Sequence, residues 1–459
     1  MKLRKYILHA SLAACTLALA SGCNKKLDVL PSQEVTPGQI TTSEDVKAVL
    51  AGCYASLQHA NAFGERYLVV ADLLGRDNAI NFVGTFAAYR AISVKQQDRN
   101  SSIAEDMWAR AYITIAGANT VLDKIGVVNK DEQKVVTAEA RFIRGITYFE
   151  LVNFYAQPWS AGNTTANDAV PIVLEPISSY DPTRDKRPRA KVSEVYKLVI
   201  DDLTAALNDL PESNENARAT KYAAEAFLAR VYMNQGRYAE AAAAANDVIA
   251  KGGFVLVTSV DKAFNNNTNS TEDIFAIQQN KQSNAGTTDN GVATFYSAKP
   301  VGRGDLQIMA DWLNNYEDGD DRKAFVYEGT SISGIDGTYT GKWKQQYKVV
   351  PVVRLSEMVL TRAEANFRSG GAPVGGVTPL ADVNAVRARA HAGDLSVVTA
   401  DDIISERFRE LAFEGDRLWT IKRLKLKLGS RDYNDPILVL PVPQTERDVN
   451  PNMTQNTGY

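Results

Sequence analysis

The chain has 459 residues, 45% of them hydrophobic and 23% charged, which is ample for a large core and more than one simple domain usually holds. Lys and Arg number 51 against 54 Asp and Glu, a formal net charge of −3, and a surface of that balance argues against nucleic acid as a partner.

The chain opens with a processing segment. Lys2, Arg4 and Lys5 precede an apolar run from Tyr6 to Ala20, broken by His9, Ser11 and Thr16, and the run ends in Leu19-Ala20-Ser21-Gly22-Cys23. This resembles a bacterial lipoprotein signal over residues 1–22, after which Cys23 is acylated and becomes the first residue of the mature chain. The alternative is a plain secretory signal, and the run is short for a membrane-spanning helix. No later stretch is long and apolar enough to cross a bilayer, so lipid on Cys23 is the expected anchor, with more than one acyl chain for stable attachment. Cys15 leaves with the signal, so Cys53 has no intrachain partner and reads as a small buried residue. Residues 23–40 are polar, carry Pro31 and Pro37, and read as an extended tether.

Ser43–Gln58 is amphipathic, with Val46, Leu50, Cys53, Tyr54 and Leu57 on one face and Thr42 and Asp45 placed to cap its start. Residues 63–102 show glycines, aromatics and polar clusters without a clear period. Helical spacing returns over Glu105–Ile125 and again over Asp131–Tyr155, where Phe142, Ile143, Ile146, Phe149 and Val152 share a face. Glu139, Arg141 and Arg144 fall outside that face and are placed to pair with neighbours. Pro158-Trp159-Ser160 opens a Gly-, Asn- and Thr-rich loop, and Val192–Leu210 is an amphipathic helix stopped by Pro211.

Two helical patterns then meet at Asn234-Gln235-Gly236, with Gly236 supplying a left-handed turn. Ala241 to Ala245 are small and allow close approach of the two helices. The unit Ala219–Gly252 has the 34-residue length of a tetratricopeptide repeat, and Gly-x-Tyr-x-x-Ala at its turn fits that pattern; an ordinary antiparallel helix pair is the plainer reading. Residues 253–350 change texture to Asn, Gly, Thr and Asp, with β-like runs at Phe254–Val257 and Ile274–Gln278 and a helical pattern near Leu306–Tyr316. A long irregular segment in a helical chain usually carries function or is disordered. Helix is expected again over Val352–Gly370, Leu380–Ala392 and Asp401–Glu414, the last opened by Asp401-Asp402 and closed by Gly415. Residues 436–459 read as an extended tail over the body.

Several blocks in this order carry a family resemblance. They include Trp108-x-x-x-Tyr112-x-x-Ile115 and Glu139-Ala140-Arg141-Phe142-Ile143-Arg144-Gly145. Further on stand Arg354-Leu355-Ser356-Glu357-Met358, then Ile404-x-Glu406-Arg407-x-Arg409-Glu410-Leu411-Ala412-Phe413-Glu414-Gly415-x-Arg417, and finally Asn450-Pro451-Asn452. The chain resembles the SusD/RagB family of nutrient-uptake surface lipoproteins in Bacteroidota. The resemblance implies a mainly α fold, a tetratricopeptide-like scaffold of helical hairpins with irregular loops and short β segments. It divides the chain into a helical region over 41–211 and a hairpin plus C-terminal region over 212–459, with variable loops near 253–350. It implies a lid that binds oligosaccharide, or in some members peptide, for a SusC/RagA-type TonB-dependent barrel in the outer membrane. Family members often carry acidic residues just after the lipidated cysteine, whereas Asn24-Lys25-Lys26 stand here, which puts the outward-facing leaflet in doubt. A periplasm-facing helical-repeat adaptor and a lipoprotein glycosidase are the alternatives.

The residues themselves point to no enzyme, cofactor or metal. His9, His59 and His391 stand in separate contexts, and no Gly-x-Ser-x-Gly elbow or Walker loop occurs. Glu317-Asp318-Gly319-Asp320-Asp321 lacks the final Glu of a calcium loop and reads as a solvated turn paired with Arg322. Glu406 and Glu410 lie one turn apart on a single element, unlike glycosidase carboxylates that face each other across a cleft, and read as a structural ion-pair network. Sugar binding would use aromatic faces in loop-like context, and Trp159, Phe295, Tyr296 and Trp343 are the candidates. Trp108, Trp312 and Trp419 lie in helical patterns and read as core.

Overall fold

The Thr42 hydroxyl accepts the Asp45 N–H at 3.2 Å while the Asp45 carboxylate accepts the Thr42 N–H at 2.9 Å, a reciprocal cap that fixes the start of the first helix. The computed structural model describes residues 37–76, 79–176, 181–214 and 217–459; Cys23, the leader and most of the tether lie outside them. Residues Thr42–Tyr459 pack as one unit. Among the described residues no helix is long and apolar enough to cross a membrane.

The helices of two or more turns are α1 (Ser43–Gln58), α2 (Arg66–Leu74), α3 (Ala87–Ser93), α4 (Ser102–Asp123), α5 (Gln133–Tyr155) and α6 (Val192–Asp209), followed by α7 (Lys221–Gln235) and α8 (Tyr238–Lys251). The C-terminal part adds α9 (Leu355–Ser369), α10 (Pro379–Arg389), α11 (Ala400–Glu410) and α12 (Asp416–Leu424). Packing runs as a series of neighbours: α1 on α4, α4 on α5, α5 on α6, α6 on α7, α7 on α8, α8 on α9, and α9 on both α10 and α11. Stability in such a stack is built interface by interface. Each fully buried Val, Leu or Phe along it contributes about 1.5–3 kcal/mol.

Small residues set the close approaches. A Cβ at Gly145 on α5 would stand 3.2 Å from Leu203 on α6. Ala241 and Ala242 on α8 pack with Met233 of α7 and Ala365 of α9. Gly236 ends α7 at φ +72°, the left-handed conformation its sequence calls for. The charged residues off the α5 face find partners: Arg144 donates to Asp202 at 2.7 and 2.8 Å and to Asn119 at 2.9 Å. Arg218 reaches Glu139 at 3.5 Å.

Between α8 and α9 the chain leaves the stack and builds most of its β structure. The strands are β1 (Ile80–Phe82), β2 (Asp273–Ile277), β3 (Leu306–Ile308), β4 (Val326–Thr330), β5 (Asp336–Thr340) and β6 (Val350–Arg354). One antiparallel sheet runs β1-β3-β5-β4, so the excursion is joined to the chain after α2; β2 pairs antiparallel with β6. The tail after α12 straps the α5–α6 connection, where Arg189 donates to the Asn456 side chain at 2.7 Å and Asn456 donates to the Tyr155 carbonyl at 2.9 Å.

Several expected boundaries move. The helix expected over Val352–Gly370 starts at Leu355, because the β-branched run before it pairs with β2. The pattern near Leu306–Tyr316 gives strand β3 and a single turn at Ala310–Leu313 rather than one helix, and Phe254–Val257 forms no strand. α11 has Thr399 as its N-cap, with Asp402 closing a reciprocal capping box, and ends at Glu410. Gly415, at φ +79°, opens α12, the helix in which Trp419 is expected but for which the sequence pattern sets no bounds. The tail is not wholly extended, since Gln444–Val449 forms a helical turn.

Candidate functional site

The acidic pair of α11 is fully committed to cations. Glu406 accepts from Arg322 at 2.6 Å, Arg409 at 2.9 Å and Arg387 at 3.2 Å. Glu410 accepts from Arg354 at 3.2 Å, Arg322 at 3.2 Å and also Arg389. Burial works to raise the Glu410 pKa, but the fields of Arg389, Arg354, Arg322 and Lys342 overcome it and hold the carboxyl well below the usual range. The acidic run before α9 is exposed at Glu317, Asp318 and Gly319 and paired with Arg322 as expected, but its Asp320 end is buried. Asp320 and Arg322 are both buried, with the Arg322 guanidinium donating to Asp320 at 2.7 and 2.9 Å, while Glu317 receives Arg387 at 2.7 Å.

Three of the four candidate aromatics turn out to be core, which corrects the sequence reading. Phe295 and Tyr296, in the turn Val292–Tyr296, are both 0% exposed; the Phe295 ring lies 4.6 Å from Tyr89, and the Tyr296 hydroxyl donates to Asp72 at 2.6 Å. Trp343 is 3% exposed and its indole N–H donates to the Phe413 carbonyl at 2.7 Å. Their Gly/Asn-rich surroundings fold under the sheet, so no ring face is left for a ligand. Trp159 differs. It is half-buried in the turn Trp159–Ala161, its ring 5.0 Å from Tyr196, and it shares a crevice with Trp419, Lys422, Asn153 and Asn234.

A concave feature open to solvent, with mixed aromatic and polar walls, lies elsewhere. It holds about 770 Å³, much of it open to solvent, and is lined by Asp311, Trp312, Asn315, Ser405, Phe408, Arg409 and Arg417. The turn Ala310–Leu313 supplies Trp312, the C-terminal half of α11 supplies Phe408 and Arg409, and α12 supplies Arg417. The Arg417 guanidinium sits 4.3 Å from the Phe408 ring and 5.0 Å from the Trp312 ring, a stack that holds both aromatics at the wall. Arg409 donates to the Asn315 carbonyl at 3.1 Å, fixing the exposed loop against α11. The Trp312 indole N–H has no partner among the described residues although it is nearly buried. Behind Trp312 a smaller recess continues past Arg76, Gly75 and Ile80.

This arrangement suits a polyhydroxylated ligand. The half-buried Phe408 ring is flanked by a carboxylate, an amide, a hydroxyl and guanidinium groups able to exchange hydrogen bonds. Asp311 is the one carboxylate among the described residues lining the cleft. Trp312 is 6% exposed, in keeping with its reading as core, although its element is a single turn and not a longer helix; the adjacent Asp311 and Asn314-Asn315 mark the loop that opens the cleft.

Comparison with known proteins adds the following. A family model described as starch-binding and associating with the outer membrane matches residues 26–233, and the SusD family model matches residues 332–435. SusD-like protein P2 of Formosa agariphila is 27% identical, with 91% of this chain and 93% of that protein covered. The starch-binding protein SusD of Bacteroides thetaiotaomicron is 25% identical, with 78% and 79% covered. Among solved structures, a SusD superfamily protein from the same organism superposes with a TM-score of 0.81 at 24% identity, over 90% of this chain and 99% of that one. The surface glycan-binding protein A of Bacteroides fluxus gives 0.76 at 22% identity, over 91% and 100%.

Proposed function

The chain belongs to the SusD/RagB family, and on that premise we propose that it is an outer-membrane surface lipoprotein that binds oligosaccharide and delivers it to a SusC/RagA-type TonB-dependent barrel. The names of its relatives support a carbohydrate ligand over a peptide. The observation that carries the reading is the Trp312 cleft, a groove open to solvent where the half-buried Phe408 ring and the nearly buried Trp312 meet the polar edges of Asp311, Asn315, Ser405 and Arg409. Binding rather than turnover is the better description, because Asp311 faces no second carboxylate among the described lining residues. Lipid on Cys23 would tie the unit to the membrane through the tether of residues 23–40.

The test is a glycan panel against the whole protein, read by calorimetry. One class of oligosaccharide is expected to bind, and Trp312→Phe and Asp311→Ala should each weaken it at least fivefold. Retention of full affinity in both variants would move the site elsewhere, with Trp159 the next candidate. Co-purification in mild non-ionic detergent tests the partner: a large β-barrel should accompany the protein, and recovery of the lipoprotein alone would count against the delivery role.

A further inference from the structure

A second cavity lies inside the helical stack, between α2, α5, α7, α9, α11 and α12, and holds about 810 Å³, part of it continuous with solvent. Most charges on its wall are settled in pairs. Arg230 donates to Glu357 at 2.6 and 2.8 Å, Arg407 to Asp416 at 2.9 Å, Arg423 to Glu364 at 2.6 Å, and Glu414 receives Arg354 at 2.8 Å. Glu150 is the exception. It is 6% exposed, lines the cavity, and accepts no hydrogen bond among the described residues. Arg230 is the cation whose charge acts on it, but that guanidinium is turned to Glu357 and to the Val352 carbonyl. The hydroxyl of Tyr67, also on the wall and within the field of Glu150, has no described partner either.

Four aromatic residues, Phe63, Tyr67, Phe149 and Trp419, form part of the remaining wall, with aliphatic residues such as Leu68, Met233 and Leu411 and the amides of Asn153 and Asn234. Ring faces attract cations by about 0.5–2 kcal/mol each, more as water is excluded. A buried carboxylate without a cation is costly, and a charge-assisted hydrogen bond is the strongest remedy. A neutral hydroxylated guest would satisfy the oxygen atoms but leave the charge. We infer that this cavity binds a small organic ammonium group, with Glu150 as its counter-ion and the four aromatic rings on its wall. The inference stands apart from the Trp312 cleft and does not depend on it.

Next to the cavity lies the Trp159 crevice, whose lining shares Asn153, Asn234, Trp419 and Arg423 with it. Lys422 stands in that crevice, its Nζ donating to the Asn153 carbonyl at 3.4 Å and lying 5.0 Å from the Trp419 ring. Burial pulls its pKa down to about 7, so it is mostly neutral in mildly alkaline solution and does not repel the guest. Burial pushes Glu150 up to about 7 against the lowering effect of Arg230, so it is mostly ionised under the same conditions.

The experiment uses the whole protein in non-ionic detergent near pH 8, with choline as probe and its uncharged carbon isostere, neohexyl alcohol, as control. Choline should bind at least tenfold more tightly than the alcohol, and Glu150→Gln should lose at least tenfold for choline and little for the alcohol. Equal affinity for the two probes, no binding of choline, or choline binding unchanged in Glu150→Gln would overturn the inference. If that variant does not fold, Trp419→Leu carries the test: choline affinity should fall at least threefold with the alcohol unaffected, and no change would refute it.

Discussion

Replacing Glu410 by Gln probes the network that holds the α8–α9 excursion to the C-terminal helices. The amide keeps the shape but removes a buried charge shared by three cations. Arg354 would keep Glu272 at 2.8 Å and Glu414 at 2.8 Å, and Arg322 would keep Asp320 at 2.7 Å and Glu406 at 2.6 Å. Arg389 would keep Glu272 alone, at 3.4 Å. The loss therefore falls mainly on Arg389, which is buried and cannot regain water. Breaking a buried pair from one side costs about 3–5 kcal/mol, and the remaining partners of the other two guanidinium groups place this case near 3 kcal/mol. The urea midpoint near pH 7 should fall with little change in slope. Changing Arg389 to Met in the same chain should return at least about 1 kcal/mol, because it removes the stranded cation. The sign with pH follows from the depressed Glu410 pKa: its contribution is full above the ordinary glutamate value and is lost as pH falls through the lower folded-state value. Wild type should thus lose stability on acidification below about pH 4 more steeply than the variant. A loss under about 1 kcal/mol, or no rescue by the second change, would mean the network is not the clamp described.

Lys422→Met should stabilise the protein by a few kcal/mol near neutrality. The folded-state pKa is lowered from 10.5 to about 7, so wild-type stability rises as pH climbs between those values, and the variant should lack that rise in a thermal melt series. Gly236→Ala should cost about 1 kcal/mol, since a Cβ there meets open space and only the left-handed backbone resists. Gly415→Ala should cost more, because its Cβ would also stand 3.2 Å from the Leu68 Cα; equal losses in the two variants would contradict that difference. Thr42→Ala should remove the α1 capping box at a cost of about 1 kcal/mol, read from the urea midpoint.

The stack was legible because its helices are long, periodic and capped. Ser43–Gln58 matches residue for residue, and the α7–α8 turn follows directly from Gly236. The strands were not, since β3 is three residues long and finds partners far away in the chain, at β1 and β5. Local pattern carries no information about such pairings. The role of Glu406 and Glu410 could be read because carboxylates one turn apart on one helix must share a side, where arginines of the same motif also lie. The ligand aromatics were misjudged for a physical reason: glycine and asparagine mark irregular backbone, and irregular backbone at Phe295 and Trp343 runs beneath other chain segments rather than over them. Trp312 is buried as its spacing implies, but the helix expected around it stops after one turn, because a few apolar residues at helical spacing do not fix its length.

The excursion between α8 and α9 behaves as a cassette. Both of its ends emerge from helices that touch each other, so the fold closes beneath it whatever its contents. Its length and loops are thereby released from the demands of the stack. The freedom has a fixed toll: Glu272, Glu317 and Arg322 pair with Arg389, Arg387 and Glu406 of the C-terminal helices, and a transplanted cassette must bring all three. Exchange of this segment between relatives should yield folded hybrids where those three anchors are kept and insoluble ones where they are not.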